Sequence, residues 1–141
     1  MNSAIASLIL AIAANVGVPP YFVLSVALTE NPALDPLAVH VNRNGTEDRG
    51  VMQLNSQYLD WFVTEFWDGK DFDWRDPGMN ITVGVRYLKR LIDMPKFNEW
   101  QAVLCYNAGP ERVKRGDVPD QAIEYANRVF EKWNRYRGYK F

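Results

Sequence analysis

The sequence predicts an all-α fold with, at most, one small hairpin or irregular loop near residues 40–50. Apolar residues recur at helical spacing through nearly the whole chain. Prolines, glycines and asparagines lie where helices of ordinary length would begin and end. The 141 residues are within the usual size of one domain, and a hydrophobic content of 48% is enough to fill one core. We therefore expect a single domain over residues 1–141.

The first predicted helix covers residues 3–15 and is followed by a turn at residues 17–19. A second helix covers residues 20–29 and begins at a proline, which suits the first position of a helix. Pro32 cannot continue this helix. Glu30 is therefore expected at the helix C-terminus, with its side chain at an edge where a cleft can form.

The segment Asn42–Gly50 is polar and contains the turn-forming pair Asn44-Gly45, so it is predicted to be a loop or a short irregular hairpin over the cleft. Helical periodicity resumes beyond it. The remaining predicted elements are helices at Ser56–Phe66, Asn80–Ile92, Glu99–Tyr106 and Pro119–Arg135, with a loop at Gly69–Gly78.

Charge and composition exclude several classes of function. There are 16 Lys and Arg residues against 17 Asp and Glu residues, with no long run of either sign, so the chain lacks the basic surface that holds nucleic acid. Cys105 is the only cysteine, and no disulfide can form within the chain. The polar segment Asn42–Asp48 does not have the ligand order of a calcium loop. We expect no metal and no cofactor.

Residues 4–16 are apolar like the core of a signal peptide, but no Lys or Arg precedes them and Gly17-Val18-Pro19-Pro20 is a poor cleavage site. The stretch is also shorter than the ~20 apolar residues that cross a bilayer. It is predicted to be a structural helix, without membrane insertion. A substrate outside the cytoplasm would require export by a signal outside this chain, carriage by a partner, or release by lysis.

Glu30 ends an apolar helical run and is followed by three separate signatures. A glutamate in apolar surroundings keeps its proton near neutral pH, because burial disfavours the charged form, so Glu30 is suited to acid catalysis. The signatures are Gly50-Val51-Met52-Gln53-Leu54-Asn55, Cys105-Tyr106-Asn107-Ala108-Gly109-Pro110 and Ile123-Glu124-Tyr125.

In order and spacing, these four features resemble the soluble-lytic-transglycosylase-like domains, relatives of goose-type lysozymes. The resemblance extends from about Gly17 to Val129 and includes the helical stretch Asn80–Leu88 before the third motif. It implies a lysozyme-like fold and the cleavage of peptidoglycan glycan strands in the bacterial periplasm or cell wall. Delivery by a secretion apparatus, by a phage virion or by a localising protein partner would fit this location.

In that family a glutamate protonates the glycosidic oxygen between N-acetylmuramic acid and N-acetylglucosamine. It then accepts a proton as the muramoyl 6-hydroxyl closes a 1,6-anhydro ring. The resemblance assigns both steps to Glu30. Many glycosidases use two carboxylates, but an N-acetyl sugar can supply its own acetamido oxygen as the nucleophile, so one carboxylate suffices. Without the other motifs, Glu30 would be interpreted as solvent-exposed or paired with Arg49.

The resemblance also assigns substrate-binding roles to the later motifs. Tyr106 would place its hydroxyl near the catalytic carboxylate, Tyr125 would orient that carboxylate or the substrate, and Gln53 would use both donor and acceptor atoms on the sugar. The competing interpretations are a buried structural pair at Tyr106 and Asn107, a core position for Met52, and surface charge at Glu124. The predicted set is Met52, Gln53 and Asn55, then Tyr106, Asn107 and Ala108, then Glu124 and Tyr125.

Three positions depart from the family pattern. Asn31 follows the glutamate where a serine is usual, and the spacing from Glu30 to Pro36 is one residue longer than is common. His40 occupies a position where a small serine often lies, so the local loop is expected to differ in shape. Cys105 replaces a small alanine, which a close-packed helix accepts because a thiol behaves as a small hydrophobe.

Other functions remain as alternatives. Goose-type lysozymes share this fold and hydrolyse the same bond with water, and Asp35, Glu47 and Asp48 are candidates to activate that water here. A catalytically silent peptidoglycan-binding module would keep the groove while misplacing Glu30. A membrane-lytic role for the first helix is disfavoured because that helix has no cationic residues.

The aromatic residues supply a further prediction. Tyr58, Phe62 and Phe66 follow helical spacing and are interpreted as a core stripe. Trp67 and Trp74 lie outside that stripe and are the preferred candidates for stacking on sugars.

Overall fold

In a computed structural model, residues 1–69 and 71–138 form seven α-helices, one 3-10 helix and a small three-stranded sheet. The predicted all-α class with one small β feature is confirmed. The single domain over residues 1–141 stays a prediction. That range includes residues 70 and 139–141, which lie outside the described residues, and the predicted loop at Gly69–Gly78 includes residue 70.

Helices α1 (Ser3–Val16) and α2 (Pro20–Glu30) match the first two predicted helices to within a residue. The Asn2 side-chain oxygen caps α1 by accepting a hydrogen bond from the Ile5 N–H at 3.2 Å. Gly17 ends α1 with a φ of 95°, which suits glycine. The second helix ends at the residue predicted to be the acid catalyst.

Strands β1 (Val39–Val41), β2 (Glu47–Arg49) and β3 (Leu54–Asn55) form an antiparallel sheet in the order β1-β2-β3. The predicted hairpin is the β1–β2 pair. Strand β3 was not predicted, because two residues are too few to show an alternating pattern. Its pairing places Asn55 opposite Asp48 and so brings the first signature next to the hairpin.

The second half of the chain is helical, with two differences from the prediction. A 3-10 helix occupies the first turn of the predicted helix 56–66. A short helix that was not predicted begins at Pro110, because a proline that ends one helix also suits the first position of the next. The elements are the 3-10 helix Ser56–Tyr58, α3 (Leu59–Phe66), α4 (Pro77–Ile92), α5 (Glu99–Ala108), α6 (Pro110–Lys114) and α7 (Asp120–Tyr136).

Helices α1, α2, α4, α5 and α7 surround the main hydrophobic core. Ile9, Phe22 and Leu88 are among its fully buried side chains. The Phe22 ring contacts the Trp133 ring at a centroid distance of 4.7 Å, which joins α2 to α7. Helix α1 packs against α2 and α4, as expected of a structural helix. Within the described ranges, no helix is long and apolar enough to cross a membrane.

Asn80, on α4, is fully buried and binds three main-chain groups. Its Oδ1 accepts a hydrogen bond from the Met52 N–H (2.8 Å), and its Nδ2 donates to the carbonyls of Arg49 (3.0 Å) and Trp74 (3.1 Å). At Gly50, where φ is 78°, an added Cβ would lie 2.2 Å from Asn80 Nδ2, so this close approach requires glycine. The segment that joins β2 to β3 is thereby fixed on α4.

Replacing Asn80 with alanine is expected to lower the free energy of unfolding by ~2–4 kcal/mol, because one buried and two partly buried main-chain groups lose their partner. Chemical denaturation followed by circular dichroism measures this loss. Lys89→Ala, on the same helix, is the control and should cost less than about 1 kcal/mol, since its ion pair with Asp93 is exposed. A loss of similar size in both variants would show that Asn80 does not hold the segment.

Candidate active site

A cavity of about 1040 Å³ opens beside the C-terminus of α2. Its walls come from the end of α2, the sheet with its hairpin turn, the 3-10 helix and α3, and the junction of α5 with α6. This volume is slightly above the ~300–1,000 Å³ that is usual for ligand sites. The cavity therefore has room for an extended ligand.

Glu30, the last residue of α2, is partly buried in the cavity wall. Burial raises the pKa of its carboxyl group to about 8, and the negative charge of Asp48 adds to this, while an interaction with the Tyr125 hydroxyl acts in the opposite direction. Arg49, the alternative partner of Glu30, instead forms an ion pair with Glu47 at 2.8 Å. At neutral pH the Glu30 carboxyl therefore holds a proton, as an acid catalyst must.

Two tyrosines flank this carboxyl group. The Tyr106 hydroxyl donates a hydrogen bond to the Met52 carbonyl (2.7 Å), which fixes its ring. The Tyr125 hydroxyl is buried and, among the described residues, has no partner at normal hydrogen-bond geometry, so its interaction with Glu30 is longer or less well aligned than that. Burial, with the nearby Glu30 charge, raises the pKa of both phenols well above the usual value. Both hydroxyls therefore remain neutral.

Asn31, which follows Glu30, is 5% exposed and links its own loop to the first signature. Its Nδ2 donates to the carbonyls of Asp35 (2.9 Å) and Gly50 (3.3 Å), and its Oδ1 accepts from the Asp35 N–H (3.2 Å). A serine hydroxyl is too short to reach all three groups. The Asn31 side chain, which is longer than that of serine, thus holds the loop between Glu30 and Pro36. Glu30 lies in the cavity wall.

Gln53 lines the cavity and has a φ of 55°. Its amide nitrogen donates to the carbonyls of Ala38 (3.2 Å) and Gly50 (2.9 Å), which uses both amide hydrogens. Within residues 1–69 and 71–138 its Oε1 accepts no hydrogen bond. The side chain therefore offers a ligand an acceptor, rather than the donor and acceptor expected from the sequence.

Asp48, on β2, places a further carboxyl group in the cavity wall, in addition to that of Glu30. Its Oδ1 accepts a hydrogen bond from Asn55 Nδ2 (2.9 Å) and its Oδ2 accepts one from Asn42 Nδ2 (3.3 Å). These bonds hold the carboxylate in one orientation. Asp35 and Glu47, the other two candidates for activating water, do not line the cavity.

Most of the predicted site residues meet in this cavity. Met52 does not line it: the side chain is fully buried, and an added Cβ at Gly84 would lie 2.7 Å from it, so Met52 is a core residue that serves the site through its main chain. Glu124 is exposed on α7 outside the cavity, and Tyr125 lies behind the wall next to Glu30. The predicted residues in the wall are Glu30, Gln53, Asn55, Tyr106, Asn107 and Ala108.

The aromatic part of the wall differs from the prediction. It includes Tyr58, which was assigned to a core stripe but is 53% exposed, together with Trp61 and Phe62. The core-stripe prediction is confirmed for Phe62 and Phe66, which are buried in the core, although Phe62 also touches the cavity. Trp67 and Trp74, the predicted sugar contacts, pack elsewhere and do not line the cavity. Spacings of three and four residues indicate that Tyr58, Trp61 and Phe62 share one side of a helix, but not what that side faces.

Cys105 is buried at the cavity wall, and burial raises the pKa of its thiol to about 11. A protonated, buried thiol is a packing group rather than a nucleophile. In the described part of the chain, no group of three or more His, Cys, Asp or Glu side chains is placed to hold a metal ion.

Two curated relatives align with most of this chain at low sequence identity. Invasion protein IagB of Salmonella typhimurium (strain LT2) is 29% identical over 109 residues, which are 77% of this chain and 64% of IagB. Protein IpgF of Shigella flexneri is 24% identical over 116 residues, which are 82% of this chain and 72% of IpgF. The chain thus spans slightly less than two thirds of the length of IagB.

A solved structure shares the fold. The crystal structure of the 70 kDa soluble lytic transglycosylase from Escherichia coli superposes with a TM-score of 0.74 and 21% sequence identity, over 94% of this chain and 24% of that one. Residues 7–134 match the family described as the Transglycosylase SLT domain. The chain therefore belongs to the Transglycosylase SLT domain family and has its lysozyme-like fold.

Proposed function

We propose that this chain is a peptidoglycan lytic transglycosylase domain. It cleaves the β-1,4 bond between N-acetylmuramic acid and N-acetylglucosamine and leaves a 1,6-anhydromuramoyl product. The observation that carries the proposal is the carboxyl group of Glu30, held in the cavity wall with a pKa raised to about 8. Family membership and the fold shared with a lytic transglycosylase support it. The location of peptidoglycan puts this activity in the bacterial periplasm or cell wall.

In the first step, the Glu30 carboxyl donates its proton to the glycosidic oxygen as the bond from that oxygen to the anomeric carbon breaks. The acetamido oxygen of the muramoyl sugar bonds to the anomeric carbon and takes up the positive charge. In the second step, the Glu30 carboxylate takes the proton of the 6-hydroxyl, whose oxygen then bonds to the anomeric carbon and releases the acetamido oxygen. Glu30 ends protonated, and no water is consumed.

The surroundings of Glu30 support both steps. Burial keeps the proton in place at neutral pH, when the donor must be an acid. Once the proton has left, the carboxylate is stabilised by the neutral hydroxyl of Tyr125, which lies beside it without another partner among residues 1–69 and 71–138. Gln53 Oε1 is free to accept a hydrogen bond from a sugar N–H or O–H.

Hydrolysis of the same bond is the second candidate, and Asp48 is the observation that favours it. Its carboxylate lies in the wall of the same cavity, oriented by Asn42 and Asn55. An oriented carboxylate can accept a proton from water, which would then attack the anomeric carbon in place of the 6-hydroxyl. A third outcome, a catalytically silent peptidoglycan-binding module, would bind glycan without releasing product.

Products released from purified peptidoglycan test the proposal. Mass spectrometry should show 1,6-anhydromuramoyl ends, about 18 Da lighter than reducing ends because one water is absent. Glu30→Gln should lower the rate by about 10³-fold or more, because an amide cannot donate an acidic proton. Glu124→Gln, the same change on the exposed side of α7, should leave the rate unchanged. Reducing ends would favour hydrolysis, and a fully active Glu30→Gln variant would remove Glu30 from the mechanism.

The pH dependence of cleavage tests the groups around Glu30. Only protonated Glu30 is the acid, so kcat/KM should fall as pH rises through about 8. Asp48→Asn removes a charge that raises this pKa, and the fall should move to lower pH. Tyr125→Phe removes an interaction that lowers the pKa, and the fall should move to higher pH. Shifts of both variants in the same direction would contradict this arrangement.

Stability offers a test that does not depend on activity. Because folding raises the Glu30 pKa from 4.5 to about 8, the native state binds a proton that the unfolded state lacks between these values, and stability falls as pH rises across that window. Glu30→Gln cannot titrate and should be more stable than the parent by ~1–3 kcal/mol at pH 7. Denaturation at several pH values measures the gap, which should widen from pH 5 to 8. Glu124→Gln should show no such gap.

A further inference from the structure

Strand β1 lies at the open edge of the sheet, and among residues 1–69 and 71–138 only β2 pairs with it. The Ala38 carbonyl accepts a hydrogen bond from the Gly50 N–H (2.8 Å), and the Asn42 N–H donates across the hairpin (2.8 Å), so the even positions of this strand bond toward β2. In an antiparallel pair, the residues between them direct their main-chain groups to the other side. The N–H and C=O groups of Val39 and Val41 therefore point away from the sheet.

The side chains at this edge are apolar and exposed. Leu37 is 62% exposed, Val39 44% and Val41 64%, and the two valines lie on one face of the strand because they are two positions apart. Edges that must stay unpaired usually contain lysine or proline, and Val39–Val41 contains neither. Alternating free N–H and C=O groups are matched by another main chain in extended conformation. The edge of β1 is therefore suited to binding an extended polypeptide.

Opposite charges lie at the two ends of this edge. Asp35 precedes β1 and Arg43 follows it, both are exposed, and in the described part of the chain neither forms an ion pair. The Asp35 carboxylate accepts a hydrogen bond from the Leu37 N–H (2.9 Å). A second copy of β1 in antiparallel direction would bring its Arg43 end to the Asp35 end of the first, whereas a parallel copy would bring like charges together. The edge is therefore complementary to itself, as a two-fold interface requires.

We propose that β1 pairs with β1 of a second copy of this chain, antiparallel across a two-fold axis, and so forms a continuous six-stranded sheet. With Val39 opposite Val41 of the second copy, all the outward main-chain groups of both residues are used, in four hydrogen bonds. His40 then lies on the axis, opposite His40 of the second copy. This self-association does not depend on the proposed cleavage reaction.

The pairing is weak, but it fixes how the two cavities are oriented. One short strand from each copy covers less than the ~1,200 Å² that stable complexes bury, so we expect a dissociation constant of about 0.1 mM. A two-fold axis perpendicular to the sheet keeps the same face of both copies on the same side. Asp48 and Asn55 lie in the cavity wall on the face opposite Val39 and Val41. The two cavities of the dimer therefore open on the same side of the six-stranded sheet.

Sedimentation of the parent chain tests the self-association. The average mass should rise from that of one chain toward that of two between about 20 µM and 1 mM. Val41→Lys places a charge on the paired edge, opposite Glu47 of β2, and should weaken association by at least about tenfold. Ile123→Lys, which makes the same kind of change at an exposed position of α7, is the matched control and should leave association unchanged.

Exchange of the two end charges tests the antiparallel direction. Asp35→Arg alone and Arg43→Asp alone each place like charges together at both ends of the interface, and each should weaken association by about five- to tenfold. The double variant restores opposite charges and should associate within about twofold of the parent. Equal weakening in the double variant and the single variants would reject the antiparallel second copy.

A disulfide tests the register. Residues opposite each other between hydrogen-bonded pairs have Cα atoms ~4.5 Å apart, a distance that a disulfide spans. His40→Cys should therefore form a covalent dimer under mild oxidation, and Cys105 does not interfere because it is buried. Ser7→Cys, exposed on α1, is the control and should cross-link at least about tenfold more slowly. Equal rates in the two variants would contradict the pairing of β1 with itself.

Amide exchange read by NMR distinguishes a second copy from a strand of another protein. At high concentration the N–H groups of Val39 and Val41 should exchange more slowly than at low concentration, while that of His40, already bonded to β2, should change little. Unchanged exchange together with a single-chain mass at about 1 mM would overturn the proposal. Protection of the valines only after an extended apolar peptide is added would assign the edge to another protein and also overturn it.

Discussion

One buried amide, that of Asn80, sets the position of the segment on which the cavity is built. It binds main-chain groups of Arg49 and Met52, which lie in this segment, and of Trp74, which lies in the loop before α4. The Met52 carbonyl in turn accepts a hydrogen bond from the hydroxyl of Tyr106, on α5. Helices α4 and α5 therefore both bind the same short segment. A buried polar group of this kind has few alternative arrangements, because each bond it leaves unmade costs free energy. The position of the cavity wall is therefore fixed by hydrogen bonds to a buried residue of the core.

The end of α2, which carries Glu30, is bound to the same segment through the next residue. Its neighbour Asn31 donates to the carbonyl of Gly50, and Gln53 donates to the same carbonyl, so the end of α2 and the cavity wall share one main-chain group. The carboxyl group itself is kept in surroundings that oppose its ionisation. Holding an acid in its protonated form costs stability above its intrinsic pKa, and the packing of α2 against the core through Phe22 offsets that cost.

The parts of the structure that could be predicted are those fixed by local chemistry. Pro32 ends α2, so the position of Glu30 at a helix C-terminus follows from the sequence alone. The location of Met52 in the core and of Trp61 in the cavity does not, because helical spacing indicates a shared side and not its surroundings. The role of Asn31 was also hidden, since its three partners come together only after folding.

The buried thiol of Cys105 has a consequence for where this domain can work. Thiol–disulfide exchange requires a thiolate, and burial, which raises the pKa of the Cys105 thiol to about 11, disfavours that form at neutral pH. The side chain has no exposed surface through which an oxidant could reach the sulfur. An oxidising compartment would therefore leave this cysteine reduced, and the cavity would keep its shape without help from a reducing environment.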